Sequence, residues 1–355
     1  MPFLLAIALL LAGAGPLHAH GGEELEAQGG WAVWNLSPEV VALCLFALWV
    51  YVRGARRLRA APHRRWWRHL LFVAGLGSVF LALQSPLDPL AERSFALHQI
   101  QHLLLRMSGP MLLALSAPEA VLIAGLPGGM RRRVLRPLAA SRPLRRLVAA
   151  LRRPLVAWLL FVVALYFWQL PAVHNASLLA PALHYTMHVT MLMSGLLFFF
   201  VVFDPRTPPR GVAYGLRQIM LLAGIVSNIV LGALTTLKET VTYTAYDIAG
   251  RLFTRTALAD EQTGGYIIWV PGSMMLLVAL LVLIFRWNRH EADRHARRHS
   301  WRAGNSAALE FPETAEELWL KVEAPNRTTR TALALIPLTM FLVATGTALG
   351  VHFLR

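Results

Sequence analysis

A chain of 355 residues that is 56% hydrophobic and only 15% charged is too apolar for an ordinary soluble domain, where about a quarter of residues carry charge. The same arithmetic excludes a disordered chain and a fibre, and a length that would otherwise mean two or three soluble domains gives way to a membrane pattern. The net charge of +15, from 34 Lys+Arg against 19 Asp+Glu, admits nucleic acid or a membrane surface as partner until the charges are placed.

The chain opens on a short apolar stretch, residues 3–12, then Gly13, Gly15 and Pro16 and the small-residue end Leu17-His18-Ala19. This reads as a signal peptide over residues 1–19, although it lacks a basic start; an uncleaved first helix is the alternative. Cleavage after Ala19 places His20 at the head of an outer segment, 20–32, where its free amine would be a copper chelator.

Eight longer apolar runs follow: 33–52, 67–83, 96–125, 154–170, 183–203, 218–236, 266–285 and 331–353. Most approach the roughly 20 residues needed to cross a bilayer. The third is broken by Ser108-Gly109-Pro110 and Ser116-Ala117-Pro118, where proline removes a backbone donor and a kink is expected. The expected fold is therefore all-α: a polytopic bundle of about eight transmembrane helices. Seven lie in a membrane domain, 33–286, followed by a cytoplasmic linker, 287–330, and an additional helix, 331–353.

Four loops, 53–68, 131–153, 206–217 and 286–330, contain 28 of the 34 basic residues. Their alternation puts these loops inside and both mature termini outside. Orientation accounts for the charge, so nucleic acid loses its support and the bilayer, with its anionic lipids, is the partner that remains. Trp31, Trp34, Trp66, Trp67 and Trp287 fall at span ends, where aromatic belts belong.

With a single cysteine, Cys44, inside an apolar run, metal chemistry would have to use His, Met and carboxylates. Of the thirteen histidines, His63, His69, His290, His295 and His299 belong to the basic regions and read as solvated. His98 and His102 lie on the third span and His184 and His188 on the fifth. Each pair has i, i+4 spacing, which sets two imidazoles on one helix face, one turn apart. Both helices enter from the outer side, so the four rings share a depth and could share an ion at about 2 Å per nitrogen. Ionisable residues inside a membrane are functional by default.

Imidazoles with nearby thioethers shift the choice of ion toward copper. Met187 and Met191 flank the second pair and Met107 follows the first, although each reads equally as a core residue. Asp88 and Asp260, in outer loops, could orient a ligating imidazole, although for Asp88 helix capping and turn formation read at least as well. His174 and His352 could join the site. Arg106, four residues beyond His102, opposes a cation there unless paired, with Asp88, Asp260 or Glu119 as the candidates.

The order of these segments resembles the CtaG-type family of cytochrome c oxidase assembly factors, multi-pass bacterial membrane proteins. The resemblance is carried by Ser85-Pro86-Leu87, His98 and His102 with Leu103-Leu104-Leu105, Pro110, His184 and His188 with Gly195 and Phe198 to Phe200, and Asp260-x-Gln262-x-Gly264-Gly265 with Trp269-x-Pro271-Gly272. It covers residues 34–286. It implies a non-catalytic role in making an active haem–copper oxidase, by holding copper and delivering it to oxidase subunits or to other assembly factors. His98, His102, His184, His188 and Asp260 are the positions it carries over. Gln99, Met187 and Arg106 depart from the family's usual residues. The alternatives are a di-iron enzyme of the H-x-x-x-H type, a haem-binding cytochrome with His102 and His188 as axial ligands, and a transporter. The last is poorly served by Asn228, Thr235 and Thr236 as a polar path.

Overall fold

The computed structural model describes residues 34, 36–58, 66–208, 210–248, 250–252 and 256–299, with scattered positions between 318 and 346. The expected signal peptide, the segment 20–32 and His20, His63 and most of the run 331–353, including His352, lie outside the described residues. Every regular element among the described residues is helical. The chain forms two compact units, one up to Met275 and one from Leu276.

In the first unit, α1 (Pro38–Arg57) and α2 (Trp67–Gln84) are apolar helices long enough to span a bilayer, as are α11 (Pro181–Val202) and α12 (Tyr214–Thr236). So is α14 (Ala257–His299), which begins in the first unit and continues into the second. Two further spans are broken. The first runs through α4 (Phe95–Leu103), a π turn at Leu104–Ser108 and α5 (Gly109–Ser116), and then bends 76° into α6 (Glu119–Gly125). The second joins α8 (Arg142–Leu151) to α9 (Pro154–Gln169) at 70°. The short helices α3 (Leu87–Ala91), α7 (Arg136–Ala140), α10 (Pro171–Leu179) and α13 (Ala245–Ile248) lie between these. Counting each bent pair once gives up to seven spans. The protein is a polytopic helical membrane protein, and exposed side chains such as Leu45, Val163, Ile219 and Leu234 mark faces that a bilayer would cover.

The breaks fall where the backbone chemistry requires them. Pro118 follows Ala117, which ends α5 in the left-handed region at φ 47°. Higher in the same span, Pro110 cannot donate to the Arg106 carbonyl four residues back. The chain widens into a π turn there, with Gly109 N–H reaching the carbonyl of Leu104. Helix α11 comes so close to this turn that a Cβ on Gly195 would stand 2.0 Å from the Arg106 carbonyl oxygen. Only glycine fits there, and its absence of side chain is what seats the helix of the second histidine pair on the helix of the first.

At the arginine-rich end, α8 presents Arg142, Arg145 and Arg146 on one face and Leu144, Leu147, Val148 and Leu151 on another, the pattern of a helix lying along an interface. Asp204 ties this region together by accepting from Arg152 at 2.5 Å and from Arg206 Nη2 at 2.6 Å. Burial pushes the Asp204 carboxyl up, but the Arg206 hydrogen bonds and the Arg152 charge outweigh it and hold it below the usual carboxylate range. Arg217, which the charge pattern counts merely as a loop cation, is buried and donates to the carbonyls of Val202, Asp204, Arg206 and Val212. In the second unit, the His295 ring stacks on Trp319 at 5.5 Å and Arg327 pairs with Glu323 at 2.8 Å.

Candidate metal centre

The helix carrying the first histidine pair is fixed at its start. Ser94 is its N-cap, accepting from Leu97 N–H at 3.4 Å. Asp260, at the opposite end of the sequence, completes the cap by accepting from Phe95 N–H at 2.8 Å, Ala96 N–H at 3.2 Å and Ser94 Oγ–H at 2.7 Å. Two backbone N–H groups that a helix start leaves unpaired, and the hydroxyl of the N-cap serine, are thereby satisfied by one carboxylate. Asp260 is therefore a helix cap; its carboxylate bonds no imidazole. Asp88 likewise accepts from Gln101 Nε2 at 2.6 Å.

His98 and His102 project from this helix with ring centroids 4.4 Å apart; His184 and His188 project from α11 at 4.5 Å. The two pairs face each other: His98 is 5.4 Å from His184 and 6.1 Å from His188, and His102 is 5.8 Å from His188. One ring nitrogen each of His98, His102 and His188 lies within 4.8 Å of the other two. All four rings are buried. Five of their nitrogens, His98 Nε2, both of His102, His184 Nε2 and His188 Nε2, have no hydrogen-bond partner among the described residues. Buried polar atoms are normally paired, so these orphaned nitrogens on facing helices make the cluster the candidate site; in neutral rings at most four of the five carry a lone pair, because His102 holds a proton on one of its two.

His174, on α10, joins the cluster from the side, 5.1 Å from His98. Its Nδ1 meets the Trp168 carbonyl at 3.0 Å and its Nε2 the Tyr246 hydroxyl at 2.8 Å. The same hydroxyl lies 2.8 Å from His98 Nδ1. Burial lowers the His174 pKa to about 4 and raises the Tyr246 phenol well above its ordinary value, so the first is neutral and the second protonated. The loop carrying Tyr246 is held by Glu261, which accepts from Thr242 N–H at 3.0 Å, Tyr243 N–H at 2.9 Å and the Lys238 ammonium. Tyr243 stacks on Phe95 at 4.3 Å, so the loop and the first turn of α4 are packed as one.

On the other side of the cluster, Glu92 places Oε1 3.9 Å from His184 Nδ1 and is the partly exposed member of that pair. Burial, and then the Asp88 charge, push its carboxyl up to about 7. Neither Glu92 nor Tyr246 stands out in the sequence. Glu92 precedes His98 by six residues, off any helical register, and Tyr246 lies in a loop of ordinary composition.

The remaining residues singled out by the sequence lie as follows. Met187 and Met191 lie in an apolar cluster with Val79, Ala82, Leu105, Leu165 and Trp168, and the Met187 thioether accepts from Ser177 Oγ–H at 3.6 Å. Each lies three residues after a histidine of the second pair, on the neighbouring part of the same helix face, and packs into that apolar cluster. Met107 is buried as well. Arg106 is met by no carboxylate among the described residues: its Nη2 donates to the Phe161 carbonyl at 3.0 Å and its guanidinium lies 3.6 Å over the Phe161 ring. A cation is thus stabilised by ring and carbonyl, one turn below His102.

Residues 49–290 match the family model described as cytochrome c oxidase caa3 assembly factor. The chain belongs to that family. All five histidines of the cluster, with Glu92, Tyr246 and Asp260, fall within the part of this assembly-factor chain that matches. Among curated proteins, it is 25% identical over 276 residues to an uncharacterized protein of Mycobacterium bovis and, equally, to one of Mycobacterium tuberculosis; it is 22% identical over 281 residues to one of Mycobacterium leprae. In each case the match covers 74% of this chain and 42% of the relative, so the assembly-factor chain corresponds to less than half of those proteins' length. No solved structure matches it.

Proposed function

We propose that this assembly factor binds one copper ion between His98, His102 and His188 and passes it to a subunit of a haem–copper oxidase within the membrane. The orphaned ring nitrogens on two facing helices are the observation that carries the reading. Three donors around an ion at about 2 Å stand about 3.5 Å apart in a trigonal plane, which small ring rotations reach from the present spacing. The donors are neutral imidazoles with no thiolate or carboxylate among them, so the ion is held without a strong charge lock and can leave. His184 stands between this set and Glu92, and the two form a path by which copper enters or leaves from the less arginine-rich side.

The arginine-rich loops orient that side outward, toward the periplasmic face of the bacterial cytoplasmic membrane. The ion is cargo, and the protein changes no covalent bond. A haem sandwiched by His102 and His188 would need its plane between two rings that pack directly on one another. A di-iron centre wants bridging carboxylates, and the nearest, Glu92, approaches only His184.

Metal analysis of the detergent-purified full chain tests this. About one copper per chain is expected, with binding lost in the double variant His98→Ala/His188→Ala. Unchanged stoichiometry in that variant removes the site. Haem absorbance, or two irons per chain, replaces the reading with one of its rivals. A strain lacking the protein should retain oxidase polypeptides without oxidase activity, and should regain activity when copper is added.

A further inference from the structure

The Tyr246 hydroxyl lies between His98 Nδ1 and His174 Nε2, at 2.8 Å from each. A hydroxyl has one proton to give, so only one of these nitrogens can accept from it. The Trp168 carbonyl decides which. Being an acceptor only, it requires His174 Nδ1 to carry a proton. A fully buried imidazole with no carboxylate bonded to it is neutral, so His174 Nε2 is bare and accepts the Tyr246 proton. The Tyr246 oxygen is then left to accept, and His98 Nδ1 must be the N–H. His98 Nε2 consequently carries a lone pair, and that nitrogen is the one with no partner in the cluster. The reverse arrangement would bury a doubly protonated His174 and an unpaired N–H on His98.

We propose that Trp168 carbonyl, His174 and Tyr246 form a relay of fixed polarity that sets the tautomer of His98 and aims its Nε2 lone pair at the histidine cluster. His174 and Tyr246 are positioning residues. A ligating imidazole held by a hydrogen bond on its other nitrogen is locked in orientation and made more basic, and loss of such a partner costs about 10–100-fold in metal affinity. The relay spans four segments, α4, α9, α10 and the α12–α14 loop, so the geometry of one ligand reports on the packing of all four. The inference rests on the copper reading for its consequence, but the tautomer it assigns does not.

The experiment uses the full chain in detergent, labelled with nitrogen-15 histidine, with His98 assigned by its loss in His98→Gln. Nitrogen chemical shifts of the copper-free wild type should show His98 with its proton on Nδ1, and a proton on Nε2 overturns the proposal. In Tyr246→Phe the His98 signal should move to a mixture of tautomers, and copper affinity, measured by competition with a coloured chelator, should fall about 10–100-fold. Tyr243→Phe is the control: its hydroxyl donates to the Gln169 carbonyl at 2.9 Å, so its loss burdens the same loop without touching the relay. Both readouts should match wild type there. An equal effect of the two substitutions on both readouts reduces Tyr246 to a packing role and overturns the proposal. Should Tyr246→Phe fail to fold, the wild-type tautomer alone decides. If the wild type binds no copper yet shows the assigned tautomer, the copper reading fails and the relay stands.

Discussion

Asp260 Oδ2 accepts the backbone N–H of Phe95 at 2.8 Å across 165 positions of sequence, so the first turn of α14 is the cap of α4. Arg251 Nη1 braces the same oxygen at 3.2 Å. Replacing a capping side chain by alanine typically costs about 1–2 kcal/mol. Asp260→Ala should lose about that much in thermal or denaturant unfolding in detergent, and should loosen copper retention because the first turn carries His98. Asp260→Asn, which keeps one acceptor, should lie between. Wild-type stability in Asp260→Ala would show that the cap contributes nothing.

Glu92 is the partly exposed carboxylate nearest the buried rings. With its carboxyl pushed up to about 7, it is a negative charge at the mouth of the proposed path above that pH, where it should raise the rate of copper entry more than the final affinity. In stopped-flow loading above that pH, Glu92→Gln is expected to slow uptake several-fold while still reaching one ion per chain, and the difference should shrink as the pH is lowered. A variant that loads at the wild-type rate would mean that the ion enters elsewhere.

Arg106 places a buried positive charge about one turn from His102. At an effective dielectric of about 20 and ~8–10 Å, a unit charge opposes a monovalent ion by roughly 1–2 kcal/mol. Arg106→Met should therefore tighten copper binding about ten-fold, read by chelator competition. It should also leave folding nearly unharmed, since an apolar side chain of similar length avoids burying a charge. Weaker binding in this variant would show that the Phe161 clamp positions His102 and that its charge is incidental.

The carboxyl of Asp204 is held below the ordinary range, so the folded state releases its proton more readily than the unfolded chain. The stability this contributes is present above the unfolded pKa of about 4 and disappears as pH falls through the lower folded value. Asp204→Asn should cost about 1–2 kcal/mol near pH 7, a figure typical of charge-assisted hydrogen bonds. Unfolding curves of variant and wild type should converge below about pH 4. A gap that persists in acid would assign the loss to shape.

The spans, the break at Ser116-Ala117-Pro118 and the meeting of two histidine pairs were legible because each rests on local chemistry: apolar length, missing proline donors and i, i+4 spacing. Glu92, Tyr246 and the capping role of Asp260 were not, because each acts on a helix far away in sequence and no periodicity encodes such a meeting. The spacing i, i+3 sets Met187 beside His184 and Met191 beside His188, but their packing with residues of other helices in an apolar cluster is nothing that spacing encodes. Arg106 was expected to need a carboxylate, but an aromatic ring and a backbone carbonyl together also host a guanidinium.

The rings of His98 and His102 reach the membrane in the third span, those of His184 and His188 in the fifth, and the tyrosine and carboxylate that steady them only after the sixth. During synthesis the earlier pair would therefore lack these supports until the ribosome has moved past residue 260. On the copper reading proposed above, protein still being made would offer the ion no finished trap, and capture would be reserved for a chain whose insertion is complete.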